Sequence, residues 1–197
     1  DDRVIRAFNN VRFYKSDMSG KCDSLHSSTK NELTQLIGKP VLWNNENQMT
    51  GNVMHLIGNN ETEKLDSLKV LNNAFIIQKD SLSKNGFNQM KGQNLFGRFE
   101  ENKLKEVDII KNAESIYYIY NDKNEFVGIW KSVCSRINLE MNENKIETMT
   151  GFNNAESNIY PDNEFPENAR KLRGFAWRGD ERILSKENIF PEEELAI

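Results

Sequence analysis

Short apolar runs alternate with polar turns along most of the chain. The clearest runs are Val11–Tyr14, Val41–Trp43, Ala74–Ile77 and Ile116–Tyr120. They are rich in β-branched and aromatic residues, and each belongs to a strand-like piece of roughly five to eight residues. Apolar side chains recur at every second position, which is the period of a β-strand with one buried face. Residues 1–160 show no helical periodicity. The pattern therefore predicts an all-β fold.

An eleven-residue segment recurs without gaps. Its copies end at Ala74, Ala113 and Ala155, and each opens with Lys, closes with Asn-Ala and carries apolar residues at its second and fifth places. Residues 5–11 match the end of the third copy, and a looser copy ends at Pro40-Val41. Repeat boundaries therefore fall near residues 11, 41, 74, 113 and 155. One such unit cannot bury its apolar face alone, so the units are expected to stack.

Each unit also holds a second strand centred on a glycine. These glycines are Gly20, Gly51, Gly92 and Gly128. They stand singly and no helix follows them, unlike the glycines of a phosphate-binding loop. A bulge or a close backbone approach where strands bend is the better interpretation.

Period-two alternation predicts which side chains share one face of the stack. In the second strands we counted from the glycine, and in the first strands from the repeat boundary. The predicted inward stripe consists of Val11, Phe13, Val41, Trp43, Val53, Ala74, Ile76, Phe96, Tyr117, Ile119 and Trp130. Two structures can use such a stripe. In a closed sandwich or solenoid the side chains fill it, whereas an open, jelly-roll-like half-barrel leaves an apolar trough.

Composition and charge narrow the function. Charged residues make up 28% of the chain, the net charge is −4, and no basic stripe is present, which argues against a nucleic-acid partner. The two cysteines, Cys22 and Cys134, supply neither a disulfide framework nor a zinc site. No apolar run approaches the roughly 18 residues of a membrane helix.

Candidate catalytic and metal-binding residues are sparse. His26 and His55 follow the glycine strands of adjacent units and, with Asp23, offer a weak metal hypothesis in which no ligand spacing recurs. Paired acids such as Glu100-Glu101 fall in predicted turns, where solvated surface is the better interpretation. The sequence therefore predicts no catalytic residue, no metal and no cofactor.

Two segments carry a family resemblance. The run from Asn10 to Leu25, and its copy from Pro40 to Gly51, resemble the repeat of the OstA/LptA-like proteins, which carry lipopolysaccharide between the two membranes of Gram-negative bacteria. The residue pattern of these segments resembles that of the Bacteroidetes members in particular. The likeness covers about residues 1–160, which we take as one β-repeat domain. Residues 161–197 depart from the repeat and are expected to form a terminal cap or to begin a further segment.

The resemblance implies a twisted β-jelly-roll of stacked antiparallel repeats, open like a half-barrel, in which the inward stripe binds acyl chains. It implies a periplasmic transport or bridge protein that binds lipopolysaccharide or lipid A. Its partners would be other lipopolysaccharide-transport proteins, or further copies of itself, joined by edge-strand addition.

No export signal is present. Since the chain opens within a repeat, we expect it to be part of a longer protein. Two alternatives stay open: a structural or adhesive β-solenoid with a filled core, and a soluble β-domain of a larger outer-membrane assembly protein.

Overall fold

The computed structural model describes residues 2–143, 145–153 and 156–190. Twelve β-strands and three short 3-10 turns make up its regular structure, which confirms the predicted all-β fold. The strands are β1 Val4–Lys15, β2 Met18–Ser28, β3 Leu33–Ile37, β4 Val41–Asn44, β5 Asn47–Thr50, β6 Val53–Asn59, β7 Lys64–Lys79, β8 Phe87–Glu100, β9 Lys103–Tyr120, β10 Phe126–Asn142, β11 Lys145–Phe152 and β12 Glu156–Tyr160. The 3-10 turns are Asp162–Glu164, Glu167–Ala169 and Gly179–Glu181. Within the described part of the chain, no helix is long and apolar enough to cross a membrane.

All strands belong to one antiparallel sheet. Its order is β11-β10-β9-β8-β7-β5-β4-β2-β3-β6, and β6 also pairs with β7. β1 pairs with β2, while β12 pairs with β10 beside β11. The long strands β7 to β10 run through a bend, and the ladders β7–β8, β8–β9 and β9–β10 continue on both sides of it. On its other edge, β7 pairs with β6 before the bend and with β5 after it, and β10 pairs with β12 before the bend and with β11 after it.

Pairs of residues in the left-handed conformation make these bends. Asn9-Asn10, Asn72-Asn73 and Lys111-Asn112 all have φ between 52° and 65°, and the register shifts there between Phe8 and Val11 and between Leu71 and Ala74. Asn tolerates this conformation better than other residues with a Cβ atom. We call the line of bends the corner.

The corner divides the sheet into two facing walls. Wall A consists of residues 4–8, 24–28, 33–37, 53–59, 64–71, 94–100, 103–110, 136–142 and 145–152, and wall B of residues 11–15, 18–22, 41–44, 47–50, 74–79, 87–91, 113–120, 126–134 and 156–160. Their inner faces share one apolar cluster, in which Leu42 and Met49 of wall B meet Leu68 and Leu95 of wall A. The result is a jelly-roll folded like a half-barrel.

The left-handed pairs lie directly before three of the predicted repeat boundaries, Val11, Ala74 and Ala113. The second unit differs, because its left-handed pair is Gly38-Lys39, with φ of 79° and 48°. Pro40 rather than Val41 therefore holds the equivalent place. The boundary predicted at Ala155 lies outside the described residues.

Residues 161–190 run as a strap across the outer face of wall B. Apolar side chains on both sides of this contact form a second cluster, with members Phe75, Ile77, Ile116, Tyr118, Ile129, Phe165 and Leu172. Two buried glutamines hold the strap backbone. Gln89 donates to the O of Arg170 at 2.7 Å and accepts from the N of Leu172 at 2.9 Å. Gln48 binds Ala176 and Arg178 in the same way. The segment expected to form a terminal cap or to begin a further segment thus covers the outer face of wall B over residues 161–190.

Candidate functional site

A cavity of about 930 Å³ opens between the two walls at the β1 end of the sheet. We call it the entrance cavity. Its apolar lining consists of Ile5, Phe13, Met18, Leu25, Leu33, Leu56 and Leu65. Residues from β1, β2, β3, β6 and the start of β7 thus contribute, so both walls form it.

The cavity lies where it does because the sheet ends there. Among the described residues, β1 pairs with β2 alone, so no further described strand closes the trough, and Ile5 on the inner face of β1 remains 60% exposed. Further along, side chains fill the space between the walls. Leu68, Leu95 and Ile109 are 0% exposed, and the void at mid-trough measures about 20 Å³. The trough is therefore open at one end and packed in the middle.

Polarity within the cavity rises from the corner outward. Leu25 lies deep, and one row further out the inner face carries Ser27 and Thr34, which are cross-strand partners with hydroxyl oxygens 2.8 Å apart. Ile5 and Leu56 flank these hydroxyls in the same row. The two hydroxyls have two O–H donors between them, and their mutual hydrogen bond uses one. An amphiphile whose polar end faces outward matches this gradient.

The outer lip of the cavity is charged. Arg3, Lys15, Lys30 and Lys64 line it together with Asp2, Glu32 and Glu63. Hydrogen bonds order parts of this lip. The Asp2 carboxylate accepts from the Ser28 hydroxyl at 3.1 Å and from the backbone N of Lys30 at 3.0 Å, and the Glu32 carboxylate accepts from the N of Asn60 at 2.9 Å. Lys64 pairs with Glu101 outside the cavity.

Seven of the eleven predicted stripe residues point to the inner face. They are Val11, Phe13, Ala74, Ile76, Tyr117, Ile119 and Trp130. Trp130 is placed there as the cross-strand partner of Tyr117, which packs on the inner cluster. Phe13 is the member of this set that lines the entrance cavity. A role in binding lipid stays a prediction for all eleven residues.

The other four, Val41, Trp43, Val53 and Phe96, point to the outer faces. Their neighbours Leu42, Met54 and Leu95 belong to the inner cluster, and side chains alternate along a strand. The reason is the corner. A bend falls soon after Gly51 and Gly92, and it reverses the phase that was counted from those glycines. For Val41 and Trp43, the corner lies one residue earlier than the predicted boundary.

Sequence reasoning missed most of the cavity lining. Ile5, Met18, Leu25 and Leu56 were not assigned to the stripe, although Leu25 and Ser27 alternate with outward His26 along β2. That alternation was the available signal. The clustering of these residues at one open end depends on which strand forms the edge of the sheet, and a single sequence does not show this.

The histidines lie on the outer face of wall A. His26, Gln35 and His55 are consecutive cross-strand partners, and Gln35 Nε2 lies 3.1 Å from His55 Nε2. Among residues 2–143, 145–153 and 156–190, no group of three His, Cys, Asp or Glu side chains could hold a metal ion. Cys22 and Cys134 are free and buried, and burial raises the pKa of the Cys22 thiol to about 11.

Comparison with known proteins supports the fold alone. No protein-family model matches the chain, and no curated protein matches it. Among solved structures, the chain is similar to the crystal structure of LptH from Pseudomonas aeruginosa, described as the LptA-homologous periplasmic component of the conserved lipopolysaccharide transport device. The TM-score is 0.55 at 14% sequence identity, and the match covers 75% of this chain and 100% of that one. The chain therefore has an LptA-like fold.

Proposed function

We propose that this protein binds lipopolysaccharide through its acyl chains and passes it along a transport bridge between membranes. The observation that carries the proposal is the entrance cavity, which combines an apolar floor, a hydroxyl row and a charged lip inside an LptA-like fold. Such a protein is a carrier and needs no catalytic group.

The dimensions of the cavity suit this role. About 930 Å³ lies within the range of about 300–1,000 Å³ that small-molecule sites occupy. Each methylene moved from water into an apolar site contributes about 0.8 kcal/mol, so a few partly buried acyl chains suffice for firm binding. Arg3, Lys15 and Lys30 lie on the lip, where they would meet phosphate groups at the polar end of the lipid.

Open sheet edges suit a bridge. In the part of the chain that the structure describes, the edge of β1 beside the cavity pairs with no strand, and β11 and β12 each pair with β10 alone. Such edges are normally an aggregation hazard, but in a bridge they dock a neighbouring subunit by strand addition. The neighbour would be another lipopolysaccharide-transport protein or a further copy of this chain in the periplasm. Membership of the Bacteroidetes-type subgroup belongs to the same proposal.

The filled middle of the trough favours a second candidate, a structural β-protein that binds no lipid. Leu36, Met54 and Leu95 are 0% exposed there, as in a closed core. This candidate predicts an entrance cavity without affinity for acyl chains.

A pair of adjacent substitutions on β1 distinguishes the two candidates. Ile5 lines the cavity and is 60% exposed, whereas Val4, 51% exposed, points to the outer face of the same strand. Both sites accept an aspartate with little effect on folding because both are largely exposed. Lipid A binding is measured for Ile5→Asp and for the control Val4→Asp, by native mass spectrometry and by displacement of a fluorescent acyl probe.

Transport predicts saturable binding that weakens at least about ten-fold in Ile5→Asp, since a charge placed against acyl chains is poorly solvated there. Val4→Asp should bind like the unmodified protein. Absence of lipid A binding by the folded unmodified protein would instead establish the structural candidate.

A further inference from the structure

Four amide side chains form a continuous row inside the trough. Asn44, Asn47, Gln78 and Asn88 are successive cross-strand partners on β4, β5, β7 and β8 of wall B. Each lies two residues from a member of the inner cluster, so each points inward. Asn44 is 0% exposed and Asn47 is 3% exposed. We call this set the amide row.

Two of these amides serve the fold itself, since Asn44 Nδ2 donates to the O of Asp17 at 3.0 Å and Asn88 Oδ1 accepts from the N of Tyr118 at 2.9 Å. The adjacent row nearer the corner is apolar and consists of Leu42, Met49, Ile76 and Met90. Within the described residues, the Nδ2 of Asn47 is buried without a hydrogen-bond partner. A buried donor left unpaired destabilises the folded state, and each one in a native structure calls for an explanation.

The row stands where the polar part of an amphiphile would lie. From the corner outward, wall B presents small residues, then the large apolar row, then the amides at its outer lip. The row also adjoins the entrance cavity. Met18 lines that cavity and is the cross-strand partner of Asn44, so one inner line runs from the open end into the amides.

The cover over the row is light. The 20 Å³ void beside Asn47, Gln78 and Asn88 is closed from wall A by Met141 and Ile146, among others. That volume holds about one water molecule. Here a hydrogen bond joins the outer margin of wall B to that of wall A, from Asn44 Nδ2 to the O of Asn102. It is 3.5 Å long, which is the weak limit for a hydrogen bond.

Resting on the proposed function, we propose that the amide row is a second subsite of the trough. There Asn47 donates a hydrogen bond to the carbonyl that links an acyl chain to its headgroup. The chain enters from the cavity and separates Leu42, Met49 and Ile76 from the wall A side chains that pack on them, so that its methylenes lie on these three residues. The linkage carbonyl takes the place of the void. The outer margins of the two walls separate between Asn44 and Asn102 to admit the lipid. The subsite selects acyl-linked lipids over alkyl-linked ones.

The test compares two neutral glycolipids that carry the same fourteen-carbon chain. N-tetradecanoylglucosamine has an amide linkage, and tetradecyl β-glucoside has no carbonyl. Their affinities are measured by displacement of a fluorescent acyl probe from the whole protein. The variant is Asn47→Leu, which removes the donor and keeps the number and branching of the side-chain heavy atoms. The control is Ile77→Val, a conservative change at a buried position of β7 whose side chain lies on the outer face of wall B, outside the proposed subsite.

The unmodified protein should bind the amide-linked glycolipid about five-fold more tightly than the alkyl glucoside. Asn47→Leu should lower that ratio to about one and leave the alkyl glucoside affinity unchanged, while the control Ile77→Val keeps the ratio. Thermal unfolding of Asn47→Leu should occur at the same or a higher temperature, because an unpaired donor is removed. If Asn47→Leu does not fold, Gln78→Met tests the neighbouring amide with the same ratio.

Two outcomes overturn the proposal in distinguishable ways. If the unmodified protein binds both glycolipids and Asn47→Leu keeps the full preference, the subsite is refuted while lipid binding stands. If the unmodified protein binds neither glycolipid nor lipid A, the proposed function fails and the subsite fails with it.

Discussion

At the residue scale, two glutamines hold the strap in place. Gln48 and Gln89 are 0% and 1% exposed, and each exchanges two hydrogen bonds with the backbone of residues 170–178. A glutamine side chain thus acts as a short piece of β-ladder, pairing an N–H and a C=O of an extended chain. The strap lies on the sheet in a fixed register because these amides form hydrogen bonds with specific backbone groups of the strap.

Replacement of Gln89 by leucine should therefore loosen the strap. Gln89→Leu leaves the O of Arg170 and the N of Leu172 without partners, and we expect a loss of about 2–3 kcal/mol in the free energy of unfolding. Urea denaturation measures it. The matched control is Gln93→Leu, at an exposed position of the same strand, which should change stability by less than about 0.5 kcal/mol. Equal effects of the two substitutions would contradict the role given to Gln89.

The strap is also sensitive to acid through Glu181. Hydrogen bonds from Arg178, and then from Lys21, lower the pKa of this carboxylate from 4.5 to about 2. Lys21 lies on β2, so the ion pair ties the strap to wall B. A depressed folded-state pKa means that the stabilisation is complete above pH 4.5 and is lost as the pH falls toward 2.

We therefore expect the stability difference between the unmodified protein and Glu181→Gln to be constant near pH 7 and to shrink below about pH 4.5. Urea unfolding at a series of pH values measures the difference, and subtraction of the two proteins removes the titration of other carboxylates. A difference that does not change between pH 7 and pH 3 would show that Glu181 does not anchor the strap.

At the scale of the element, the corner shows what the sequence could reveal. The Asn-Ala repeat marks the left-handed pairs before Ala74 and Ala113, because residues that tolerate a positive φ are few and recur wherever the bend recurs. The faces of the strands beyond the corner were harder to predict. The number of residues in a bend decides whether the side chains beyond it keep the in–out alternation of the strand or reverse it. The bends near Val53 and Phe96 reverse it, so these two side chains lie on the outer faces.

A substitution at the corner tests its conformational requirement. Asn112 has φ of 52° and is exposed, so its side chain contributes little to packing. Asn112→Val forces a β-branched residue into the left-handed region and should destabilise the protein by about 1–2 kcal/mol. Asn112→Gly, which is free of that strain, should be about neutral. Thermal or urea unfolding of the pair decides the matter, and a stable valine variant would contradict the account.

At the scale of the whole molecule, wall B is covered on its outer face by the strap and wall A is not covered by it. The strap covers the outer face of wall B, whereas the outer face of wall A exposes Phe8 at 68% and Ile37 at 42%. The sequence did not predict the strap, because residues 161–190 follow no repeat and their partners Gln48 and Gln89 look like surface residues. It did predict the stack of strands and an apolar interior. The open end of that interior depends on the edge strand β1.

Photocrosslinking from two phenylalanine positions of β1 tests the central claim most directly. Phe13 lines the entrance cavity, and Phe8 is exposed on the outer face of wall A. Each is replaced in turn by p-benzoylphenylalanine, and the protein is irradiated with lipopolysaccharide. A crosslinked adduct from position 13 and none from position 8 is the result expected of a lipid carrier. Adducts at position 8 alone, or at neither position, would contradict the binding of acyl chains between the walls.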